Sequence, residues 1–284
     1  VCGYKTGRYI SPTITDYRER FQINGRMISR KLLCEYVERL KIQCEEMVRA
    51  GFSHPTPFEF ETALAFLYFK EKKCDVVVLE TGLGGAEDAT NIIKTTLVSV
   101  ISSISMDHMG FLGDTLQKIA CHKAGIVKEG VPVVCGVPEQ EAFKEIQRVC
   151  TEKNAPLFVV DKEKEKILSA TGRGISFSYK KYKRMKLPFM GMYQLDNGAA
   201  ALEAVECLKD TGNFCLPEEK VRAAFEQVSW PARFERIAKS PDFYIDGAHN
   251  EGAVRALVKT IEFYFTNKKI IYIMGVLKDK EYER

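Results

Sequence analysis

The chain has 284 residues, of which 45% are hydrophobic and 28% charged, a composition that excludes a disordered, collagen-like or low-complexity protein. The net charge of +4 is too small to indicate a nucleic-acid partner, and no apolar run reaches the roughly 18 residues of a membrane span. Nine cysteines without a C-x-x-C pair indicate reduced thiols in the cytoplasm rather than disulfides or a zinc site. The chain begins with Val1 rather than Met, and we expect it to be part of a longer protein.

Hydrophobic periodicity predicts strands and helices that alternate along most of the chain. Short runs of β-branched residues predict strands buried on both faces, as in parallel sheets. Ser29 and Pro57 are helix start signals, and Asn24-Gly25 is typical of a hairpin turn. The predicted elements are, in order, strand 8–11, helices 30–49 and 57–72, strands 75–80 and 96–104, helix 115–123, strand 131–135, helix 139–153, strand 156–160, helices 194–210 and 217–227, strand 242–246, helix 250–266 and strand 270–275.

This alternation predicts an α/β fold with a doubly wound, mostly parallel sheet. The stretch 161–184 is rich in Lys and Glu, and we expect it to be a solvated excursion. Near 230–236 a second βαβ pattern begins, which is too short to bury a core of its own. We therefore predict a large domain over 1–229, a linker over 230–236, and the start of a second, Rossmann-like domain over 237–284.

Polar residues follow the predicted strands at the ends where ligands bind in open α/β sheets. Ser11 ends the first strand, Glu80 ends the strand 75–80, His108 follows the strand 96–104, and Asp246 ends a later strand. A carboxylate at the end of a buried strand needs a partner, and a cation would provide one. Together the Ser, Glu and His side chains can build a divalent-cation site. Oxygen ligands suit Mg²⁺, whereas an imidazole by itself would suggest Mn²⁺ or Zn²⁺.

Each of these residues is also consistent with a purely structural role. Glu80 is consistent with a salt bridge or a cap contact, and His108 with an ordinary hydrogen-bonded histidine. The glycines in 82–85 do not match a dinucleotide-binding fingerprint and are consistent with a tight turn, with Asp88 as a cap. Lys123 at a helix end either compensates the helix dipole or is a desolvated amine with a lowered pKa.

Five segments of the chain stand out together: LETGLGGAEDATN (79–91), SISMDHMGFLGDT (103–115), KAGIVKEGVPVV (123–134), WPARFE (230–235) and DGAHN (246–250). In order and spacing they resemble the folylpolyglutamate synthase/dihydrofolate synthase family of Mur ligases, and the resemblance covers nearly the whole chain. Mur ligases are ATP-dependent enzymes that join a carboxylate to an amino acid. The resemblance therefore implies ATP and Mg²⁺ as cofactors, and the addition of L-glutamate to folate or dihydropteroate through an acyl phosphate.

The resemblance also implies roles for individual residues. The matches to the family's magnesium ligands are Ser11, Glu80 and His108, and the match to its carbamylated lysine is Lys123. The matches to residues at the nucleotide, where Arg suits phosphate and Asp a ribose hydroxyl, are Asn197, Arg233, Asp246 and His249. The resemblance also implies that Gly84, Gly85 and Asp88 lie on the substrate side of the site. We expect His108 and Lys123 to be catalytic, and the protein to act as a cytoplasmic monomer.

The sequence departs from the family pattern at three places. The family's phosphate-binding loop, a G-x-x-G-K-G-[ST] turn, would precede Val1, so we expect residues 1–284 alone not to hydrolyse ATP normally. Thr13 stands where the family often has His, and Ala86 where it often has Arg, which leaves the pterin preference open. Two alternatives remain, another Mur-type amino-acid ligase and a non-catalytic folate-binding remnant. A nicotinamide oxidoreductase would need the glycine fingerprint that this chain lacks.

Overall fold

The computed structural model describes residues 1–107 and 109–275, and the chain divides into two compact units. The N-terminal unit is Gly3–Lys94, and the second unit contains Val1–Cys2 and the chain from Thr95 onward. Both units combine helices with parallel strand pairs, so the protein is a mixed α/β protein, as the alternating pattern predicts. Among the described residues, no helix is long and apolar enough to cross a membrane.

The N-terminal unit is built on a four-stranded mixed sheet. Its strands are β1 (Thr6–Tyr9), β2 (Phe21–Ile23), β3 (Arg26–Met27) and β4 (Val76–Leu79). Their order across the sheet is β3-β2-β1-β4, and only the β1–β4 pair is parallel. Because Tyr9 pairs with Leu79 at the ends of β1 and β4, the residues that follow these two strands emerge at the same edge of the sheet.

In this unit, residues close in sequence determine where the helices begin and where the hairpin turns. The β2–β3 hairpin turns at Asn24 and Gly25, whose φ angles of 50° and 74° are the positive values that a two-residue turn needs. Helix α1 (Arg30–Arg49) begins after Ser29, whose hydroxyl accepts a hydrogen bond from the Leu32 amide. Helix α2 (Pro57–Glu71) begins with a capping box formed by Thr56 and Glu59. The core of the unit consists of Tyr9, Phe21, Ile28, Tyr36, Leu64, Ala65, Tyr68 and Phe69.

The prediction that strand 75–80 is buried on both faces is wrong. In β4, Val78 is 58% exposed, and Glu80 just beyond the strand is exposed as well. A β-branched run shows that a segment favours the extended conformation, but burial on both faces also requires a packing layer on each side. Among the described residues, no such layer covers Val78.

The second unit contains a three-stranded parallel sheet in which only the central strand matches the prediction of burial on both faces. Val100 in the first strand is 40% exposed, and Phe158 and Val159 in the third are 36% and 43% exposed, so the prediction is wrong for these two strands. Its strands are β5 (Ser99–Ile101), β6 (Val133–Cys135) and β7 (Leu157–Val159), in the order β5-β6-β7. Its first helices are α3 (Met109–Leu112), α4 (Leu116–Ala124) and α5 (Gln140–Glu152). All three residues of β6 are fully buried. Val133 and Cys135 belong to one hydrophobic cluster and Val134 to another, so the central strand separates two cores.

The predicted solvated excursion is wrong, because its residues form an antiparallel meander. The strands are β8 (Glu165–Thr171), β9 (Gly174–Tyr179) and β10 (Tyr182–Leu187), which are followed by α6 (Gln194–Asp210) and α7 (Glu218–Gln227). Alternate residues of β9 and β10, such as Phe177 and Met185, are completely buried in the second cluster. The intervening residues are the partly buried Ser176 and Ser178 in β9 and the exposed Lys183, Arg184 and Lys186 in β10. The high Lys and Glu content of 161–184 hides this alternation when composition alone is considered.

The last part of the chain begins with a hairpin rather than with the predicted βαβ unit. Strands β11 (Glu235–Ala238) and β12 (Phe243–Ile245) pair antiparallel, and α8 (Glu251–Phe265) follows. The predicted strand 270–275 is not in regular secondary structure, and its Ile271 and Ile273 are more than 80% exposed. A strand needs a hydrogen-bonding neighbour as well as β-propensity, and no described strand pairs with this segment.

Candidate active site

In the N-terminal unit, the structure brings two of the predicted metal ligands together. Ser11 and Glu80 follow the paired strands β1 and β4, and the Ser11 amide donates a hydrogen bond to Glu80 Oε2 at 2.8 Å. The Glu80 amide in turn donates to the Tyr9 carbonyl at 2.9 Å, which extends the strand pairing by one step. Burial lowers the pKa of the Arg8 guanidinium, and the negative charge of Glu80 opposes that shift. An exposed carboxylate and a neighbouring hydroxyl therefore lie together at one sheet edge.

The glycine segment after β4 is a turn that Asp88 holds by hydrogen bonds. One carboxylate oxygen of Asp88 accepts from the amides of Gly82 and Leu83, at 2.9 and 2.8 Å. The other accepts from the amide and hydroxyl of Thr90, at the start of a short 3₁₀ helix. Both oxygens are thus occupied by the loop itself, which supports the cap interpretation of Asp88. Gly84 has a φ of 66°, a left-handed conformation that favours glycine.

In the second unit, Lys123 lies near the carboxylate of Asp107. Lys123 is in the last turn of α4, and Asp107 follows β5, with a side chain only 18% exposed. Burial lowers the pKa of the Lys123 amine, and the charge of Asp107 partly opposes this. The direction agrees with a desolvated lysine rather than with a solvated one that only compensates the helix dipole. The predicted ligand His108 lies outside the described residues.

Asp246 accepts three hydrogen bonds directly after β12. Its Oδ2 accepts from the Tyr193 hydroxyl at 2.7 Å and from the Phe234 amide at 2.8 Å, and its Oδ1 accepts from the Ala248 amide at 2.8 Å. Burial and this hydrogen bond both raise the pKa of Tyr193, so its hydroxyl stays protonated and remains a donor. These bonds fix the carboxylate and the turn that carries it.

Arg233 lies against this same turn. Its Nη1 would be 2.7 Å from a Cβ atom at position 247, so the guanidinium lies directly against the backbone of Gly247. Its charge also lowers the pKa of Tyr193, which places Arg233 near the Asp246 carboxylate. A cation and a fixed carboxylate therefore lie side by side, which is an arrangement suited to an anionic ligand that also carries hydroxyl groups.

His249 and Asn250 connect the turn to the loop after β5. The Nδ1 atom of His249 is 2.7 Å from the Gly247 carbonyl, and its Nε2 atom is 4.0 Å from Asp107 Oδ2. Asn250 donates from Nδ2 to the same Asp107 oxygen at 2.8 Å. The structure thus brings His249 and Asp107 together, although they are 142 positions apart in the sequence.

Asn197 lies in the first turn of α6, one helical turn after Tyr193. Its amide nitrogen donates to the Tyr193 carbonyl at 3.4 Å, and its exposed side chain donates to Gln194 Oε1 at 3.0 Å. Tyr193 therefore connects the start of α6 with Asp246, and the helix presents Asn197 four residues further along the same face.

Sequence reasoning missed three residues of this network, namely Asp107, Tyr193 and Asn250. Each lies inside or beside a segment that the sequence already marks: SMDH, YQLDNG and DGAHN. Asn250 could have been found as an N-cap before the apolar period of α8, because Asn is a preferred cap residue. No local signal indicates that its amide reaches Asp107.

The donor chemistry of the predicted metal site agrees with Mg²⁺ as far as the structure describes it. Carboxylate and hydroxyl oxygens from Glu80 and Ser11 are hard ligands of the kind that Mg²⁺ prefers. No cluster of three or more His, Cys, Asp or Glu residues occurs within 1–107 and 109–275. Mg²⁺ that is bound together with phosphates usually has few protein ligands.

The sequence matches the Mur ligase middle domain over residues 27–205 and the glutamate ligase domain of Mur ligases over residues 232–284. A Bacillus subtilis dihydrofolate synthase/folylpolyglutamate synthase is 37% identical over 99% of this chain. A mutant of the L. casei folylpolyglutamate synthase is 31% identical, with a TM-score of 0.87 over 97% of this chain and 69% of its own. A folylpolyglutamate synthase complex with AMPPCP and folate has a TM-score of 0.86 at 31% identity and covers 93% of this chain.

The chain spans 66% of the length of the B. subtilis protein and 66% of the synthase chain in the complex with AMPPCP and folate. The two domain matches together cover most of the chain, and the identities exceed 30% over nearly all of it. This chain therefore belongs to the Mur ligase family, in the branch of the folylpolyglutamate and dihydrofolate synthases.

Proposed function

We propose that this chain belongs to an ATP-dependent ligase that adds L-glutamate to the carboxylate of folate or dihydropteroate. ATP would phosphorylate that carboxylate, and the glutamate amine would displace phosphate from the acyl phosphate to form an amide. The 37% identity with the B. subtilis dihydrofolate synthase/folylpolyglutamate synthase over 99% of this chain carries the proposal. The polar strand ends described above support it, because they offer groups suited to cations and phosphates.

Ser11, Glu80 and His108 would hold the magnesium ion. The hydrogen bond between the Ser11 amide and Glu80 supports this role for the first two, because it orients the carboxylate at the sheet edge. Bound Mg²⁺ would supply positive charge that orients the transferred phosphate and offsets its charge. The chain's own contribution is to fix the position of the oxygen ligands before the substrates arrive.

Lys123 would act in its carbamylated form. The lysine ammonium first loses one proton, and the free amine then attacks CO₂, forming an N–C bond while one C=O π bond opens. Loss of a second proton from nitrogen leaves a carbamate anion. The burial that lowers the pKa of Lys123 supports this step, because it increases the fraction of free amine. The resulting negative charge would be suited to supporting a bound cation.

Asp246, Arg233, His249 and Asn197 would bind the nucleotide. Asp246 has two oxygens held in place by three donors, and it can still accept a hydrogen bond from a ribose hydroxyl. Arg233 provides a planar cation suited to phosphate oxygens. On the substrate side, we propose that Gly84, Gly85 and Asp88 shape the loop rather than contact the reacting atoms.

We also propose the domain boundaries 1–229, 230–236 and 237–284. The separate matches at 27–205 and 232–284 support a division in this region.

The test is incorporation of labelled L-glutamate by the full-length gene product, with ATP, Mg²⁺ and either dihydropteroate or tetrahydrofolate. We expect labelled product that requires both ATP and Mg²⁺. Glu80→Ala should lower the rate about 100-fold or more, because a ligand that positions the metal is lost. Glu87→Ala, which removes an exposed carboxylate from the same loop, is the matched control and should keep full activity.

Three results would contradict the proposal at different levels. Full activity in Glu80→Ala would overturn the metal assignment alone. Transfer of glutamate to neither acceptor by a folded protein would overturn the ligase function, and ATP-dependent transfer of another amino acid would indicate a different Mur-type ligase.

A further inference from the structure

Asn250 makes two side-chain hydrogen bonds in opposite directions. Its Oδ1 accepts from the Ala253 amide at 2.9 Å and so caps the N-terminus of α8. Its Nδ2 donates to Asp107 Oδ2 at 2.8 Å, across 143 positions of the sequence. A Ser, Thr or Asp residue would provide the cap equally well, but none of them has an amide that could make the second bond.

The backbone around this contact is closely packed. A Cβ atom at Gly252 would lie 2.8 Å from Ser105 Cβ, so the first turn of α8 lies directly against the loop after β5. The Asp107 side chain is only 18% exposed, which limits how far water can replace the lost partner. The contact between α8 and this loop is therefore specific, and the amide–carboxylate bond fixes its register.

The same short turn carries the residues proposed to bind the nucleotide. Asp246 is held by Tyr193, Phe234 and Ala248, and His249 is held by the Gly247 carbonyl. Asn250 follows immediately, so fixing Asn250 fixes the end of a turn that is already rigid. On the other side of the bond, Asp107 acts electrostatically on Lys123.

We infer that Asn250 is a positioning residue that joins the turn 246–250 to the loop bearing Asp107, and thereby holds the nucleotide-binding residues in register with Lys123. The inference rests on the proposed function for the role of that turn. Its distinctive claim is that the Nδ2–H donor of Asn250, and not its cap oxygen, determines nucleotide affinity.

The test removes the hydrogen-bond donor of Asn250 and then restores the bond with the donor and the acceptor exchanged between positions 107 and 250. Asn250→Ser keeps a cap oxygen and removes the donor, whereas Asn250→Asp keeps the cap and places a second carboxylate against Asp107. Asp107→Asn combined with Asn250→Asp restores one amide–carboxylate bond with its direction reversed. Ser29→Ala removes the cap of α1 in the N-terminal unit and controls for the loss of a helix cap.

The readout is ADP affinity of the full-length product, measured by calorimetry in EDTA so that an effect on the metal site does not enter. We expect Asn250→Ser and Asn250→Asp to weaken ADP binding by about 10-fold, the value of one charge-assisted hydrogen bond. The reciprocal double variant should recover to within about 3-fold of the wild type. Ser29→Ala should lower stability and leave ADP affinity unchanged.

Wild-type affinity in Asn250→Ser, or a double variant as weak as the single ones, would overturn the inference while leaving the proposed function intact. Absence of ADP binding by the wild-type protein would instead overturn the nucleotide role and with it the positioning role. In that case, urea unfolding of the same four variants tests whether Asn250 and Asp107 are hydrogen-bonded. A double variant that is more stable than the single Asn250 variants supports the bond, and one that is no more stable contradicts it.

Discussion

The two units hold their polar strand-end loops in different ways. In the N-terminal unit, the hydrogen-bond donors to the Asp88 carboxylate among the described residues all lie within six positions of it, on Gly82, Leu83 and Thr90. In the second unit, Asp246 accepts from Tyr193, 53 positions away, and Asn250 donates to Asp107 at a separation of 143. The first loop is fixed locally, whereas the second is fixed by segments that only the folded chain brings together.

This difference determines what each loop can do. A locally fixed loop keeps its shape independently of the rest of the chain, so it suits a substrate-side surface. A loop fixed by distant segments changes its position when those segments move, so its ligand affinity depends on packing elsewhere. Mutations at the long-range contacts should therefore affect both stability and ligand binding, and mutations at the local contacts should affect mainly stability.

The largest effect is expected for Asp246→Ala. This change leaves the Tyr193 hydroxyl and two backbone amides without an acceptor in a part-buried place, and should lower the free energy of unfolding by about 3 kcal/mol. Urea unfolding measures this loss. Asp242→Ala, which removes an exposed carboxylate 3.6 Å from Arg236, should change stability by less than about 0.5 kcal/mol. Equal losses in the two variants would contradict the anchoring role of Asp246.

A smaller effect is expected for Asp88→Ala. It removes the acceptor for the amides of Gly82 and Leu83, but both residues are exposed and water can replace part of the loss. We expect a loss of about 2 kcal/mol, with faster hydrogen exchange confined to residues 82–90. Faster exchange throughout Gly3–Lys94 would show that the loop is not locally held.

Tyr193→Phe tests one long-range bond by itself. It deletes the hydroxyl that donates to Asp246 and keeps the ring, so we expect a loss of about 1.5 kcal/mol in unfolding free energy. ADP affinity should fall as well, because the carboxylate loses one of its three donors. The long-range argument would be contradicted if stability fell while ADP affinity stayed at the wild-type value.

Glu165 is a third carboxylate, and it differs from Asp88 and Asp246 in its hydrogen bonding. Its Oε1 is buried without a hydrogen-bond partner among the described residues, and burial, with the charge of Asp196 adding to it, raises its pKa to about 7. The folded state therefore keeps a proton on Glu165 that the unfolded state loses near pH 4.5. The contribution of Glu165 to the free energy of unfolding decreases as the pH rises from about 4.5 to 7.

Glu165→Gln should remove this pH dependence. At pH 8 the variant should be more stable than the wild type by about 1 kcal/mol, and at pH 4 the two should be equal. Urea unfolding at the two pH values measures the difference. Equal stabilities of the variant and the wild type at both pH values would contradict the raised pKa.

Features with local causes could be predicted from the sequence. The cap at Ser29, the helix start at Pro57 and the Asn24-Gly25 turn depend on residues close in sequence, and the structure confirms them. The proximity of Ser11 and Glu80 was also predictable, because strand ends in parallel register meet at one edge. The roles assigned to these residues stay predictions.

The remaining features depend on contacts that composition does not encode. The Lys and Glu content of 161–184 indicates a solvated segment and conceals the alternation of the meander β8–β10, in which Phe177 and Met185 are fully buried. The exposure of Val78 and of residues 270–275 depends on which segments pack or pair there. Asn250 has a visible cap signal, but its bond to Asp107 arises only when two distant loops meet.

The most direct test of the nucleotide site is calorimetric titration of the full-length product with AMPPCP in the presence of Mg²⁺. We predict binding to a single site, weakened at least about 100-fold in Asp246→Ala, since that variant loses both a ligand contact and the anchor of the turn. Unchanged AMPPCP affinity in Asp246→Ala, or no binding by the folded wild-type protein, would contradict this account.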